Sequence, residues 1–226
     1  MEYRIHGTTL QTLDLTLEHG ESVFTESGGM AWMTGNIGME TNTKGGLLKG
    51  FARSLAGESM FLTTYTCNGS KALVTFTPES PGSIIPVKLG VNESRICQKD
   101  AFMVAEQSVK LEIHFRKKLG AGIFGGEGFI LQKLTGPGTA FVEIAGDVRS
   151  YELADGQTLK VDPGHIAMYE PSVSYDIARV KGVKNVLFSG EGLFLATLTG
   201  PGRVWLQSLP LSNLAAKLAG YIPAKR

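Results

Sequence analysis

The chain has only two cysteines, Cys67 and Cys97, among its 226 residues. That number excludes a disulfide framework and a zinc cage built of thiolates, so a reducing, cytoplasmic setting is the expectation. Charge of one sign is missing as well. Lys and Arg number 22 against 21 Asp and Glu, and the net charge of +1 gives no general attraction to nucleic acid or to an acidic surface. No uninterrupted apolar run reaches the length of a membrane-spanning helix. The opening stretch MEYRIHGTTLQTLDLTLEHG has neither the apolar centre of a secretory signal nor the acid-poor, Arg-rich character of a transit peptide.

Catalytic signatures are equally scarce. The four histidines, His6, His19, His114 and His165, lack the His-x-His or HExxH spacing that builds a catalytic metal site. His165 follows a Pro-Gly turn and is expected at a strand edge with a local hydrogen bond. The GES at 57–59 lacks the GxSxG elbow of a nucleophilic serine, and neither cysteine stands in a motif that pairs it with a base. The stretch LGAGIFGGEG at 119–128 contains a formal GxGxxG, but it follows basic residues and leads into a strand. A dinucleotide fingerprint instead opens a helix within a βαβ unit. The densest basic run, Arg116 to Lys118, has too few charges for a phosphate track and no interleaved aromatics. The expectation is a noncatalytic protein with no cofactor and no metal.

What the chain has is glycine, β-formers and repetition. Its 29 Gly and 9 Pro, among dispersed Val, Ile, Thr, Phe and Tyr, favour many short strands and turns. GEGFILQKLTGPG at 126–138 returns as GEGLFLATLTGPG at 190–202, with nine of thirteen positions identical. A more diverged copy, GESMFLTTYTCNG, occupies 57–69. Each copy reads as a hairpin, an apolar strand turning into a second one. Gly-Pro-Gly suits a type II turn, with Gly138 or Gly202 at φ > 0, and Asn68-Gly69 suits a type I′ turn. A second recurrent element precedes each copy: GESVFTESGGMAWM from 20, KDAFMVAEQSVKL from 99 and GQTLKVDPGHIAM from 156. The chain therefore divides into repeats at about 1–80, 81–146 and 147–211 within one compact unit. A closed β-core with pseudo-threefold symmetry is expected. A short helix at 212–220, N-capped by Ser212, should close one end of that core or dock on a neighbouring subunit.

Five longer stretches carry a family resemblance: GGLLKGFARSLAGESMF, SPGSIIPVKLG, GGEGFILQKLTGPGTAFVEIAGD, VDPGHIAMYEPSVSYDI and SGEGLFLATLTGPGRVWLQSLP. Together they resemble the altered-inheritance-of-mitochondria family, whose members are similar in fold to the trp RNA-binding attenuation protein and long carried a domain-of-unknown-function label. The resemblance runs from about residue 1 to 211. It implies an all-β protein, a β-sandwich or double-stranded β-helix-like core of three attenuation-protein-like modules, in a homo-oligomer. Eukaryotic members are associated with mitochondrial inner-membrane organisation. Fold is fixed by such membership better than function is.

Two sets of residues are candidates for function. Glu58, Glu127 and Glu191 occupy the same place in the three repeats and either converge on a cation or fix their turns through backbone hydrogen bonds. In KGGLLKGFARSLAGES, Leu48, Phe51, Ala52 and Leu55 have amphipathic-helix spacing, with Lys44, Lys49 and Arg53 flanking them. Ile123 and Phe124 hold the equivalent place in the second repeat. If these loops project from one end, they form an apolar surface with a basic rim, suited to capping the core, to subunit contact or to peripheral membrane contact. The leading expectation is an oligomeric scaffold or interaction protein, and the alternative is an RNA or small-ligand binding module.

Overall fold

The structure is a computed structural model and describes residues 1–26, 29–43, 61–117, 128–179, 194–219 and 221. It is all-β, with nineteen strands among the described residues and one short helix. The first module holds β1 (Glu2–His6), β2 (Thr12–Glu18), β3 (Ser22–Glu26), β4 (Met30–Met33), β5 (Ile37–Thr43), β6 (Phe61–Cys67) and β7 (Lys71–Phe76). The second holds β8 (Gly82–Leu89), β9 (Ser94–Gln98), β10 (Phe102–Glu106), β11 (Lys110–Lys117), β12 (Phe129–Thr135) and β13 (Gly138–Ala145). In the third are β14 (Val148–Leu153), β15 (Thr158–Val161), β16 (Ile166–Tyr169), β17 (Ser174–Arg179), β18 (Phe194–Thr199) and β19 (Gly202–Gln207).

One pairing rule recurs in all three. The last strand of a module pairs with its first and third, as in β8·β13·β10, and the fifth pairs with the second and fourth, as in β9·β12·β11. The same holds for β2·β7·β4 with β3·β6·β5, taking β1 as an extra strand, and for β14·β19·β16 with β15·β18·β17. Each module is therefore two three-stranded half-sheets. Modules join edge to edge: β3 pairs with β10, and β9 pairs with β16.

The outcome is four sheets, of orders β1-β2-β7-β4, β5-β6-β3-β10-β13-β8, β11-β12-β9-β16-β19-β14 and β15-β18-β17. Three apolar cores separate them. Leu13, Leu15 and Leu17 of the first sheet meet Val23, Tyr65 and Val104 of the second. Phe24 and Val142 on the second sheet's other face meet Cys97 and Leu134 of the third, and Ile96 and Leu131 on the third sheet's other face meet Val161 and Leu198 of the fourth.

Sequence pattern follows this layering. β2 alternates strictly, its leucines buried and its polar residues towards solvent, because an outer sheet has one apolar face. Residues 102–105 of β10 and the whole of β16 are buried, because an inner sheet is covered on both faces. No sheet closes on itself among the described residues, so the expected closed core is corrected to an open series of layers.

The repeated Gly-Pro-Gly is not a hairpin. β12 and β13 belong to different sheets, as do β18 and β19, and β6 and β7. The motif is a corner that carries the chain back by one layer. The Gly136-Pro137 and Gly200-Pro201 peptides are cis, and Gly138 and Gly202 have positive φ, but at +136° and +135° they lie well beyond the roughly +80° of a type II turn. Gly136 and Gly200 are needed for close approach: a Cβ there would stand 2.4 Å from the carbonyl oxygens of Gly90 and Ala154 respectively. Asn68 and Gly69 do not adopt the positive φ of a type I′ turn.

Strand equivalence also re-registers the second recurrent element. The counterparts of residues 22–33 and 158–169 are residues 94–105, whereas the stretch from 99 straddles β10 and β11. The terminal helix, α1 (Leu211–Ala219), starts one residue earlier than expected. Asn213 and Leu214 donate their amides to the carbonyl of Pro210, which places Ser212 inside the first turn. No described helix is long and apolar enough to cross a membrane.

Candidate functional site

The residues singled out from sequence for a surface role, Lys44, Leu48, Lys49, Phe51, Arg53, Leu55, Ile123 and Phe124, lie outside the described residues, as do Glu58, Glu127 and Glu191. Of the histidines, His165 ends a 3-10 turn, Pro163–His165, and its Nδ1 lies 2.7 Å from the carbonyl oxygen of Gln207. His6 Nε2 lies 3.2 Å from Asp14, and His19 Nδ1 3.1 Å from the Gly69 carbonyl oxygen. They do not converge. Cys67 and Cys97 are free, buried thiols, and burial together with the charge of Glu26 pushes the Cys97 thiol far above its ordinary range.

The described residues do form a polar cavity that no sequence motif indicated. It lies where the first and second modules join, beside the β3·β10 seam, with a volume of about 200 Å³. Glu26 enters it from the end of β3, Lys99 and Asp100 from the 3-10 turn Lys99–Ala101, Glu143 from β13 and Glu79 from the loop after β7. Lys99 Nζ stands 3.9 Å from Glu26, and Glu26 also accepts from Gln132 Nε2.

Glu143 is a strongly perturbed acid on the wall of this cavity. Burial raises its carboxyl to about 8, and the charges of Glu79 and then Asp100 push the same way against the Glu79 amide, which donates to it at 3.3 Å. At neutral pH this side chain is mostly a neutral acid.

The second module junction has the same fold positions with different side chains. Gln98 corresponds to Glu26, and Gln207 to Glu143. There Gln207 Oε1 accepts from the Ala145 amide at 3.1 Å, while its Nε2 donates to the Gly164 carbonyl at 2.9 Å and reaches Gln98 Oε1 at 3.4 Å. Two amides satisfy one another and the backbone at the second junction, and two carboxyls face a cavity at the first. No group of three or more His, Cys, Asp or Glu among the described residues has the geometry to hold a metal ion.

A second feature lies at the ends of the layer series. Among the described residues, the chain has one half-sheet at each end that no neighbouring module completes: β2·β7·β4 with its extra β1, and β15·β18·β17. Their joining edges are β4 and β15. Among the described residues β4 pairs only with β7, and β15 only with β18.

The sequence pattern of the family described as mitochondrial biogenesis AIM24 matches residues 3–209, which span all three modules. The chain belongs to the AIM24 family. An uncharacterized protein of Streptococcus pyogenes serotype M6 is similar to this AIM24 chain, 32% identical over 219 residues that cover 93% of this chain and 86% of the relative. A crystal structure of a Streptococcus pyogenes protein superposes with a TM-score of 0.81 at 28% identity, covering 98% of this chain and 99% of the other. The layered AIM24 architecture is therefore shared over its whole length with a solved structure.

Proposed function

We propose that this AIM24 family member is a noncatalytic, oligomeric scaffold or interaction protein of the cytoplasm. The observation that carries the reading is the way the modules join. Every internal sheet is completed by two modules, so this fold's own means of association is edge-to-edge completion of a sheet, and among the described residues each chain presents two uncompleted half-sheets. Exposed sheet edges that are not blunted are sites of strand pairing between chains. Two buried, unpaired thiols are in keeping with a reducing compartment. The basic and apolar segment around residues 44–55 adds, from its sequence, a footprint for an anionic membrane surface.

Sedimentation equilibrium of the purified protein across a hundredfold concentration range tests the reading. A defined assembly larger than one chain is expected, and a monomer throughout would overturn it. Sedimentation with anionic and neutral vesicles tests the membrane footprint separately.

A second reading, small-ligand binding, draws on the cavity beside Glu143. It ranks lower because the matching position at the second junction is closed by Gln98 and Gln207, as a purely structural polar contact would be. A thermal-shift screen against a panel of small cations and metabolites tests it, and a saturable rise in Tm abolished in Glu143→Gln would favour it.

A further inference from the structure

The two open half-sheets make a more specific inference possible. We infer that β4 of one copy pairs antiparallel with β15 of a second copy, completing between chains the junction that occurs twice within each chain. The inference rests on the oligomeric reading above and names its joint.

β4 has the composition of a buried joining strand and the exposure of an unused one. By position, Met30, Ala31, Trp32 and Met33 correspond to Phe102, Met103, Val104 and Ala105 in β10, and to Ile166, Ala167, Met168 and Tyr169 in β16. All eight residues of those two strands are buried. In β4, Ala31 is exposed, Trp32 is 53% exposed and Met33 is 36% exposed. An apolar MAWM strand is thus left open at one end of the molecule, where its counterparts are covered by a neighbouring module.

The internal junctions fix the partner and the register. At the second junction Met168 stands opposite Cys97 and Tyr169 opposite Ile96. At the first, Ala105 stands opposite Phe24. Cys97 and Ile96 correspond in turn to Val161 and Lys160 of β15. Repeating the step sets Trp32 of one copy opposite Val161 of the next, and Met33 opposite Lys160.

Faces agree as well as edges. Val104 and Met168 each reach the core of the preceding module, the first among Leu15 and Val74, the second among Leu111 and Leu134. Trp32 repeats that role by entering the neighbouring copy's third core beside Val161. Lys160 takes the position of Phe24 and Ile96, which turn towards the following module's core, and lays its apolar stem along Met33 with its ammonium at the rim.

A chain cannot satisfy its own two edges. They belong to the first and last of four layers with three cores between them, a separation of roughly 30 Å at the usual spacing of about 10 Å between packed sheets. The contact is therefore between copies and head to tail. Such a contact continues until the rotation closes a ring or, if it does not close, extends as a filament.

Two single variants, Met33→Cys and Lys160→Cys, provide the test, both at exposed edge positions where folding is checked by circular dichroism. Directly opposed residues of an antiparallel pair have Cα atoms roughly 4.5–5.5 Å apart, within disulfide reach. Mild oxidation of the mixed variants should give a covalent dimer, neither variant alone should give one, and the double variant should give a ladder of multimers. Trp32→Asp should raise the dissociation constant of the native assembly by about thirtyfold or more, the effect of losing a central aromatic contact.

An assembly that persists in Trp32→Asp and yields no 33-to-160 cross-link overturns this joint while leaving the scaffold reading in place. Cross-linking of Met33→Cys to itself would place a two-fold contact there and would also overturn the joint. A native protein that is monomeric at every concentration overturns both.

Discussion

Gln207 and Gln98 meet amide to amide at 3.4 Å across the second module junction, and their counterparts at the first junction, Glu143 and Glu26, are both acids. One fold position has thus been filled in two chemical ways. The amides are neutral at every pH, whereas the raised carboxyl of Glu143 couples the joining of two modules to protonation.

The Glu143 carboxyl has a folded-state value near 8 and an ordinary value of 4.5. Between those values the folded state holds a proton that the unfolded chain has released, so stability falls as pH rises from about 4.5 to 8 and levels off above. Glu143→Gln removes that slope. We expect the variant to match the parent near pH 5 and to exceed it by about 1–2 kcal/mol at pH 8.5, a figure reduced for the partial exposure of the group. Urea unfolding at both values checks this, and an identical pH dependence in parent and variant would contradict it.

Gln207 accepts from one backbone amide and donates to one backbone carbonyl. Gln207→Leu leaves the Ala145 amide and the Gly164 carbonyl without those partners, and should cost about 2–3 kcal/mol in chemical denaturation. Gln207→Glu reproduces the first junction's chemistry and should introduce a new fall in stability with rising pH.

Gly136 and Gly200 hold equivalent corners. Gly136→Ala and Gly200→Ala each force a Cβ against backbone carbonyls at 2.4 and 2.6 Å, and each should destabilise by about 2–4 kcal/mol. Gly35→Ala, where a Cβ meets nothing within 4 Å, is the control. A thermal midpoint for either corner variant within a degree of the control would refute the close-packing account.

Tyr169 is buried, and among the described residues its hydroxyl has no hydrogen-bond partner. Its ring stacks on Tyr175 with centroids 6.1 Å apart. Tyr169→Phe retains the stack and removes the orphan hydroxyl, so stability should stay level or rise by about 0.5–1 kcal/mol. A loss above 1 kcal/mol would show that the hydroxyl has a partner.

The all-β class and the family were legible in sequence because both rest on local signals: dispersed β-formers, glycine and proline at turns, and long motifs repeated in order. Gly-Pro-Gly was legible as a reversal but not as a corner. A strand, a turn and a strand read alike whether the two strands pair with each other or pass to different sheets. The polar cavity was silent because Glu26, Glu79, Asp100 and Glu143 are far apart in the chain and none belongs to a motif.

The sequence by itself determined that short strands would form, how each alternates, and that one unit would be written three times, since periodicity and turn chemistry act over a few residues. Tertiary structure decided which strands pair, and so where MAWM ends up. The same apolar pattern is buried in β10 and β16 and exposed in β4. The difference lies in whether a preceding half-sheet is present to cover it, and that depends on the module's place in the series of layers.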